Sequence, residues 1–291
     1  MEQILVNEVQ AFVENGRGGN RAGVVLDAGK LSSEQKQRVA AAVGFSETAF
    51  VSPSVTSTVR LDYFTPNKQI AVCGHATVAT FSLLQSKALL PSGPLSFETT
   101  IGSFPIVQEE EDIFLTLSPP KFPDISGTGF DLPALFEFGA DLPFGPAAPL
   151  IGSVGMPFLL IEVPTLETLK SLKPRLEGIR EFSRSLELVG LYVFSRKTVV
   201  PGRHASVRMF APYFGIDEES ATGVGAGALG AFLALRLGVS AAEILIEQGH
   251  WMNPPSPSLL KVRIGKSNGD LDSVQVGGAG LVIGQRQVNL E

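Results

Sequence analysis

The spacing of hydrophobic and polar positions predicts many short strands with a few helices between them. Residues 5–12 alternate between apolar and polar, which is the period of a half-buried strand. Asn268-Gly269 predicts a hairpin turn near the end of the chain. Short apolar runs bounded by Gly, Pro and Asn predict further strands over residues 22–26, 59–64, 95–99, 104–108, 113–117, 158–162, 188–194, 244–248, 258–264, 273–277 and 281–283.

One predicted helix has signals at both ends. Ser32 and Gln35 have the spacing of a capping box, in which each side chain accepts a hydrogen bond from the other residue's backbone N–H. Gly44 follows the last apolar position, where a left-handed residue commonly ends a helix. These signals predict a helix over residues 33–43.

Two further helices, predicted over residues 74–84 and 223–237, are small and apolar on all faces. A helix of this composition is enclosed by protein on every side. The motif Phe64-Thr65-Pro66 precedes the first, and Phe210-Ala211-Pro212 precedes the second about half a chain later. We therefore predict an α+β fold of two similar barrel-like halves, each with strands wrapped around a central apolar helix.

The consecutive prolines of Ser118-Pro119-Pro120 predict a domain boundary. We expect a first barrel-like domain over residues 1–117, completed by residues 278–291, and a second over residues 118–277. Gly74 and Gly223 begin the two apolar helices, where backbone N–H groups and the helix dipole favour a carboxylate. We expect the two helix N-termini to face each other across a cleft that binds a small anion.

Composition narrows the class of partner. The net charge is −6 and no basic cluster occurs, so nothing provides the phosphate neutralisation that nucleic-acid binding requires. The chain has 1 cysteine, which excludes an internal disulfide, and its 3 scattered histidines do not have zinc-site spacing. We expect a small-molecule partner, no nucleic acid, no cofactor and no metal.

Location is predicted from the N-terminus and from one uncharged segment. The first residues lack the basic start and long apolar run of a signal peptide, so we expect a cytoplasmic protein. Residues 142–161 are uncharged and long enough to cross a membrane. Prolines and glycines spread along this segment would break a helix, so we predict loop and buried strand there and no membrane partner.

Glu47 is a lone carboxylate between an apolar helix end and the apolar run Ala49-Phe50-Val51. Burial disfavours the charged form of a carboxyl group, raises its pKa and suits it to proton transfer near neutral pH. From the residues alone, a solvated loop glutamate remains the simpler interpretation. The role of Asn20 also has two interpretations, since its side chain can stabilise a turn or contact a ligand.

Seven short motifs follow one another along nearly the whole chain. They are Gly19-Asn20-Arg21-Ala22-Gly23-Val24, Ser46-Glu47-Thr48-Ala49-Phe50, Phe64-Thr65-Pro66, Cys73-Gly74-His75-Ala76-Thr77, Phe210-Ala211-Pro212, residues 219–223 and Gln248-Gly249. In this order they resemble the PhzF-like phenazine-biosynthesis isomerase family. The resemblance implies the diaminopimelate-epimerase-like fold, in which the active site lies between two similar α/β halves.

The resemblance also implies an activity and its residues. It implies a cofactor-independent isomerase in which Glu47 moves a proton between carbons of a small carboxylate substrate. His75 and an acidic residue, here Glu219 in place of the usual Asp, would position or protonate that substrate. A homodimer is implied as well. Substrate contacts are implied for Asn20, Ser46, Cys73, Gly74, Gly223 and Val224.

Three further positions depart from related proteins. Val224 replaces a frequent Ser, which leaves only its backbone N–H for a ligand, and Ser220 replaces a usual Pro. Related racemases use two opposing cysteines; Cys73 occupies the first position, and Ala221 aligns with the second. We therefore interpret Cys73 as a small buried residue beside the site.

Two alternatives to the isomerase remain open. The first is an amino-acid epimerase or racemase of the same fold that pairs Glu47 with Cys73 or Glu219. The second is a non-catalytic protein that binds a small carboxylate, which the departures at Glu219 and Val224 motivate.

Overall fold

The computed structural model divides the chain into two compact units. The first contains Met1–Thr116 and Gly277–Glu291, and the second contains Leu117–Val276. The predicted hairpin turn at Asn268-Gly269 lies outside the described residues. The residues that the structure describes are 2–123, 131–137, 142–267 and 270–290.

The strands of the first unit form a closed barrel in the described part of the chain. They pair in the order β1-β2-β3-β4-β6-β7-β8-β16, and antiparallel pairing between β16 and β1 closes the ring. A short strand, β5, pairs with β4. These elements are β1 (Glu2–Val13), β2 (Asn20–Val25), α1 (Ser33–Val43), β3 (Glu47–Ser52), β4 (Val59–Phe64), β5 (Gln69–Ile70), α2 (Gly74–Ser86), β6 (Leu95–Thr99), β7 (Gly102–Glu109), β8 (Asp112–Leu117) and β16 (Asp270–Leu290). Strand β16 begins in the second unit and belongs to the first from Gly277 onward.

Helix α2 is the central helix of the first unit. Its residues from His75 to Leu84 are all buried, and it packs against β1, β2 and β3. Strand β16 also lies close to it, since a Cβ added at Gly280 would clash with the Ser82 side chain. Because protein surrounds the helix, apolar residues are favoured on all of its faces.

Helix α1 has the predicted ends. Ser32 Oγ accepts a hydrogen bond from the Gln35 N–H at 3.2 Å, and Gln35 Oε1 accepts one from the Ser32 N–H at 2.9 Å. Gly44 ends the helix with φ 72°, a left-handed conformation that costs glycine little. The capping box and the bounds of this helix are confirmed.

The second unit wraps its strands around another apolar helix, α5. The strands pair in the order β9-β10-β11-β12-β14-β15, with β13 beside β12, and α5 packs against β9, β10, β14 and β15. The predicted fold class, with a central apolar helix in each half, is confirmed. The elements are β9 (Leu150–Ser153), β10 (Pro157–Glu162), α3 (Leu166–Ser171), α4 (Leu176–Ser185), β11 (Gly190–Ser195), β12 (Ala205–Ala211), β13 (Ile216–Glu219), α5 (Gly223–Arg236), β14 (Ile244–Gln248) and β15 (Ser258–Ser267).

The last strand differs from its prediction. Two short strands over residues 273–277 and 281–283 were expected, whereas β16 runs without interruption from Asp270 to Leu290. Glycines between the two predicted strands indicated a break, because glycine weakens an isolated strand. Strand β16 pairs with β1 from Ala279 onward and also has β8 and β15 as neighbours, which continue the sheet through this segment. Gly280 allows α2 to approach. The predicted break is wrong for that reason.

Candidate active site

Glu47 is the first residue of β3 in the wall of the barrel. Strand β3 pairs in parallel with β2, and Glu47 lies opposite Ala22. Every residue of β3 is buried, and Glu47 is only 7% exposed. Asn20, the first residue of β2, is also buried, and Ser46 is half-buried.

Cys73 and His75 lie at the N-terminus of α2 and meet Glu47 there. Cys73 directly precedes the first helical residue, Gly74, and has an extended backbone. His75 Nε2 lies 3.2 Å from Glu47 Oε2, and His75 Nδ1 lies 3.4 Å from Cys73 Sγ. The imidazole therefore bridges a carboxylate and a thiol, and all three residues are buried.

The pKa values of these three groups depend on one another. Burial by itself would raise the pKa of Glu47, but the charge of His75 together with polar contacts from His75 and Ser46 outweighs burial and leaves that pKa lowered. Burial would lower the pKa of His75, yet Cys73 and Glu47 together hold it well above its ordinary value. Burial raises the pKa of the Cys73 thiol, and His75 offsets this only in part. These directions favour a Glu47 carboxylate beside a His75 imidazolium near neutral pH.

One carboxylate oxygen of Glu47, Oε2, lacks an aligned hydrogen bond within the described residues. Oε2 is buried and accepts no aligned hydrogen bond from the described residues, so its contact with His75 is an ion pair. Gly74 is half-buried beside His75, and a Cβ added to it would meet no atom within 4 Å. An available carboxylate oxygen and open space thus lie at the N-terminus of the same helix, where backbone N–H groups favour an anion.

Tyr63 and Thr77 support this arrangement, and the sequence analysis did not assign them a role. Thr77 Oγ1 donates to the Cys73 carbonyl oxygen at 2.7 Å, and the Tyr63 hydroxyl lies 2.5 Å from Thr77 Oγ1. Burial raises the pKa of Tyr63 well above its ordinary value, which keeps the hydroxyl protonated as a donor. The pair fixes the turn that presents Cys73, Gly74 and His75.

Glu219 belongs to a buried polar network in the second unit. It is the last residue of β13, and its carboxylate accepts a hydrogen bond from Thr222 Oγ1. Gln248, at the end of β14, donates to the Glu219 carbonyl oxygen at 2.7 Å and to Thr222 Oγ1 at 3.2 Å. Its Oε1 accepts from the Thr222 N–H at 3.2 Å and from the Tyr192 hydroxyl at 3.0 Å. Gln248 therefore holds Glu219 at the start of α5.

The residue before the first helical position is Cys73 in α2 and Thr222 in α5. By this criterion the counterpart of Cys73 is Thr222, one residue after the Ala221 aligned from the sequence. Gly223 is buried in the first turn of α5, and Val224 is half-buried there. Thr222 thus has a hydroxyl at the position where Cys73 has a thiol.

Comparisons with known proteins agree with these features. A family model described as "Phenazine biosynthesis-like protein" matches residues 9–286. The chain belongs to this PhzC-PhzF family. An uncharacterized isomerase of Deinococcus radiodurans is 34% identical over 291 residues, covering 94% of this chain and 91% of the relative. The resemblance predicted from the seven motifs is confirmed.

Two further family members extend the comparison. The crystal structure of a PhzF-family phenazine biosynthesis protein from Bacillus anthracis superposes with a TM-score of 0.91 at 27% identity, covering 100% of both chains. The trans-2,3-dihydro-3-hydroxyanthranilate isomerase of Pseudomonas aeruginosa is 26% identical over 285 residues, covering 97% of this chain and 98% of the relative. Relatives in this family are named isomerases, and the chain is an enzyme of that class.

Within this PhzF-family chain, the predicted site residues form two groups. Glu47, Cys73, Gly74 and His75 come together in the first unit, with Asn20 and Ser46 on the adjoining strand ends. Glu219, Gly223 and Val224 lie in the second unit, at the end of β13 and the start of α5. The expectation that both groups line one cleft stays a prediction.

The sequence analysis also missed a cluster of possible metal ligands. Glu47, Cys73 and His75 each offer one ligand atom, and these atoms lie within 4.8 Å of one another. Chain spacing did not indicate this cluster because Glu47, at the start of β3, is far along the chain from Cys73 and His75 at the start of α2. In the described part of the chain, no helix is both long and apolar enough to cross a membrane.

Proposed function

We propose that this PhzF-family isomerase moves a proton between two carbons of a small carboxylate substrate, with Glu47 as general acid/base. The observation that carries the proposal is the buried Glu47 side chain, whose Oε2 accepts no aligned hydrogen bond in the described residues and lies 3.2 Å from His75 Nε2. A carboxylate oxygen that forms an ion pair but accepts no aligned hydrogen bond keeps a lone pair available for a substrate proton.

The proton transfer would proceed in two steps. Glu47 removes a proton from a carbon that the substrate's carboxylate or double bond acidifies, and it becomes a neutral acid. It then returns a proton to a second carbon of the same molecule, so that the product is an isomer and no other reactant is needed. The negative charge of a bound substrate would raise the pKa of Glu47, which opposes the effect of His75 and brings the group closer to neutral pH.

His75 and Gly74 would bind the substrate's negative charge. The pKa of His75 is raised by Cys73 and Glu47 against the effect of burial, so this side chain is cationic when Glu47 is ionised. Backbone N–H groups at the start of α2 add a second attraction for a carboxylate. The Pseudomonas relative is named for a cyclic aminocarboxylate, which supports a small cyclic or amino carboxylate here.

Glu219 is proposed as the second acidic group, held by Thr222 and Gln248. Asn20, Ser46, Cys73, Gly223 and Val224 are proposed to contact the substrate. Glu219 in place of the usual Asp and Val224 in place of the frequent Ser would then change which substrate fits. This proposal includes the cleft expected from the sequence.

The test measures turnover of candidate carboxylates by NMR in deuterated water, beginning with trans-2,3-dihydro-3-hydroxyanthranilate. Glu47→Gln keeps the size of the side chain and removes its titrating group, so turnover should fall about 10²- to 10⁴-fold. Glu98→Gln is the matched control, because Glu98 is a half-exposed glutamate of the same unit that pairs with Arg60 at 2.9 Å. Unchanged turnover in Glu47→Gln would contradict the proposal.

The same measurement separates the alternatives. An epimerase would incorporate deuterium at the α-carbon of an amino acid with loss of optical rotation, whereas the isomerase produces a constitutional isomer. The single cysteine of the chain and Thr222 at the start of α5 count against a two-thiol mechanism. Binding of a carboxylate by the wild type without turnover of any would favour the non-catalytic alternative.

A further inference from the structure

We propose that Glu47, Cys73 and His75 form a binding site for Zn²⁺, and that Zn²⁺ bound there inhibits the enzyme. Binding follows from the geometry of the three side chains alone. Inhibition rests on the proposed function, since it requires Glu47 to act as the acid/base.

The distances between the ligand atoms are close to those of a tetrahedral zinc site. His75 Nε2 lies 3.2 Å from Glu47 Oε2 and 4.0 Å from Cys73 Sγ, and the three ligand atoms lie within 4.8 Å of one another. Around one tetrahedral Zn²⁺, with bonds of about 2.0–2.3 Å, such atoms are about 3.3–3.7 Å apart. Side-chain rotations that bring the atoms together by about 1 Å or less would therefore complete the site.

A second observation points to a ligand at this place. Glu47 Oε2 is buried without an aligned hydrogen bond from the described residues, although the residue is only 7% exposed. A buried carboxylate is costly unless a cation or donors compensate it; His75 supplies that cation here, and a bound Zn²⁺ would take its place. The open space beside Gly74 leaves room for the fourth ligand, a water molecule or a small anion.

The donor set selects the metal. Sulfur and imidazole nitrogen with one carboxylate oxygen suit Zn²⁺, whereas Mg²⁺ and Ca²⁺ require oxygen ligands. Zn²⁺ binding releases the Nε2 proton of His75 and the thiol proton of Cys73 to solvent. The Glu47 lone pair is then used in a metal bond, and His75 Nε2 can no longer carry a proton. The acid/base pair is then unable to move a substrate proton.

The test uses Co²⁺ as a spectroscopic substitute for Zn²⁺ in protein without an affinity tag. Cys73 is the only cysteine, so a thiolate-to-cobalt charge-transfer band can arise from this residue alone. We expect this band, together with the visible bands of tetrahedral Co²⁺, and we expect Zn²⁺ to displace both. Cys73→Ser should lose the charge-transfer band, and Glu47→Gln and His75→Gln should raise the dissociation constant for Co²⁺ at least tenfold.

His250→Gln is the matched control. His250 Nε2 lies 3.7 Å from Glu247 Oε2, so it is also a histidine beside a buried glutamate, but it does not belong to the cluster of three ligand residues. Its dissociation constant for Co²⁺ should equal that of the wild type. Zn²⁺ should also protect Cys73 from alkylation in the wild type, which tests the site without any substitution.

Several results would overturn the proposal. These are the absence of a thiolate-to-cobalt band in the wild type, a dissociation constant unchanged by Glu47→Gln and His75→Gln, and alkylation of Cys73 at the same rate with and without Zn²⁺. None of these measurements needs a substrate, so failure of metal binding is distinct from failure of the proposed reaction. Zn²⁺ binding without inhibition of a measured turnover would overturn the inhibitory role.

Discussion

The ion pair between Glu47 and His75 should contribute to stability in a pH-dependent way. At the observed 3.2 Å, two unit charges attract by about 5 kcal/mol with an effective dielectric constant of about 20. Desolvation of two buried ions costs several kcal/mol and offsets most of this attraction. We expect a coupling free energy of about 1–3 kcal/mol from a double-mutant cycle with Glu47→Gln and His75→Gln.

The pH dependence follows from the directions of the two pKa shifts. The pKa of Glu47 is lowered in the folded protein, so its contribution is complete above the unfolded pKa of about 4.3 and is lost as pH falls through the folded pKa. The pKa of His75 is raised, so its contribution is complete below the unfolded pKa of about 6.5 and is lost as pH rises through the folded pKa. The coupling should be largest between these limits.

The assay is urea unfolding of the wild type, both single variants and the double variant, followed by far-ultraviolet circular dichroism at pH 5.5 and pH 10. Because the chain has two units, the slope of each transition must be the same in all four proteins before the free energies are compared. The Lys36–Asp62 pair, also buried and in the first unit at 2.6 Å, is the control because neither partner is a histidine. A coupling below about 0.5 kcal/mol at pH 5.5, or the same coupling at both pH values, would refute the reasoning.

Three further substitutions test other parts of the site and fold. Gly74→Ala should leave the free energy of unfolding unchanged or raise it by up to about 1 kcal/mol, because the added Cβ meets no atom within 4 Å. If a substrate carboxylate binds at this helix N-terminus, kcat/KM should fall at least about tenfold. An equal kcat/KM would contradict that role. Gln248→Leu should cost about 1–3 kcal/mol in thermal unfolding by removing the partner of the Thr222 N–H, and an unchanged melting temperature would contradict this. Glu247→Gln should cost about 3–5 kcal/mol in urea unfolding, since it removes the buried negative charge that Arg203 contacts at 2.9 Å. A loss below about 1 kcal/mol would count against a structural role.

Local signals were sufficient for the helices that organise each unit. The capping box at Ser32 and Gln35 predicted α1, because both hydrogen bonds join residues three positions apart. The apolar surfaces of α2 and α5 predicted enclosure by strands, since no face of either helix could remain in water. Strand β16 could not be predicted in the same way, because pairing with β1 at the other end of the chain maintains it past its glycines.

The sequence by itself determined the family, the fold class and the candidate residues Glu47, Cys73 and His75, because motifs and periodicity are written in neighbouring positions. Only the tertiary structure decided that these three side chains contact one another and that Glu47 Oε2 accepts no aligned hydrogen bond in the described residues. Pairing of β3 with β2, packing of α2 against both strands, and burial produce that contact. These are distances between residues far apart in the chain, which no local pattern records.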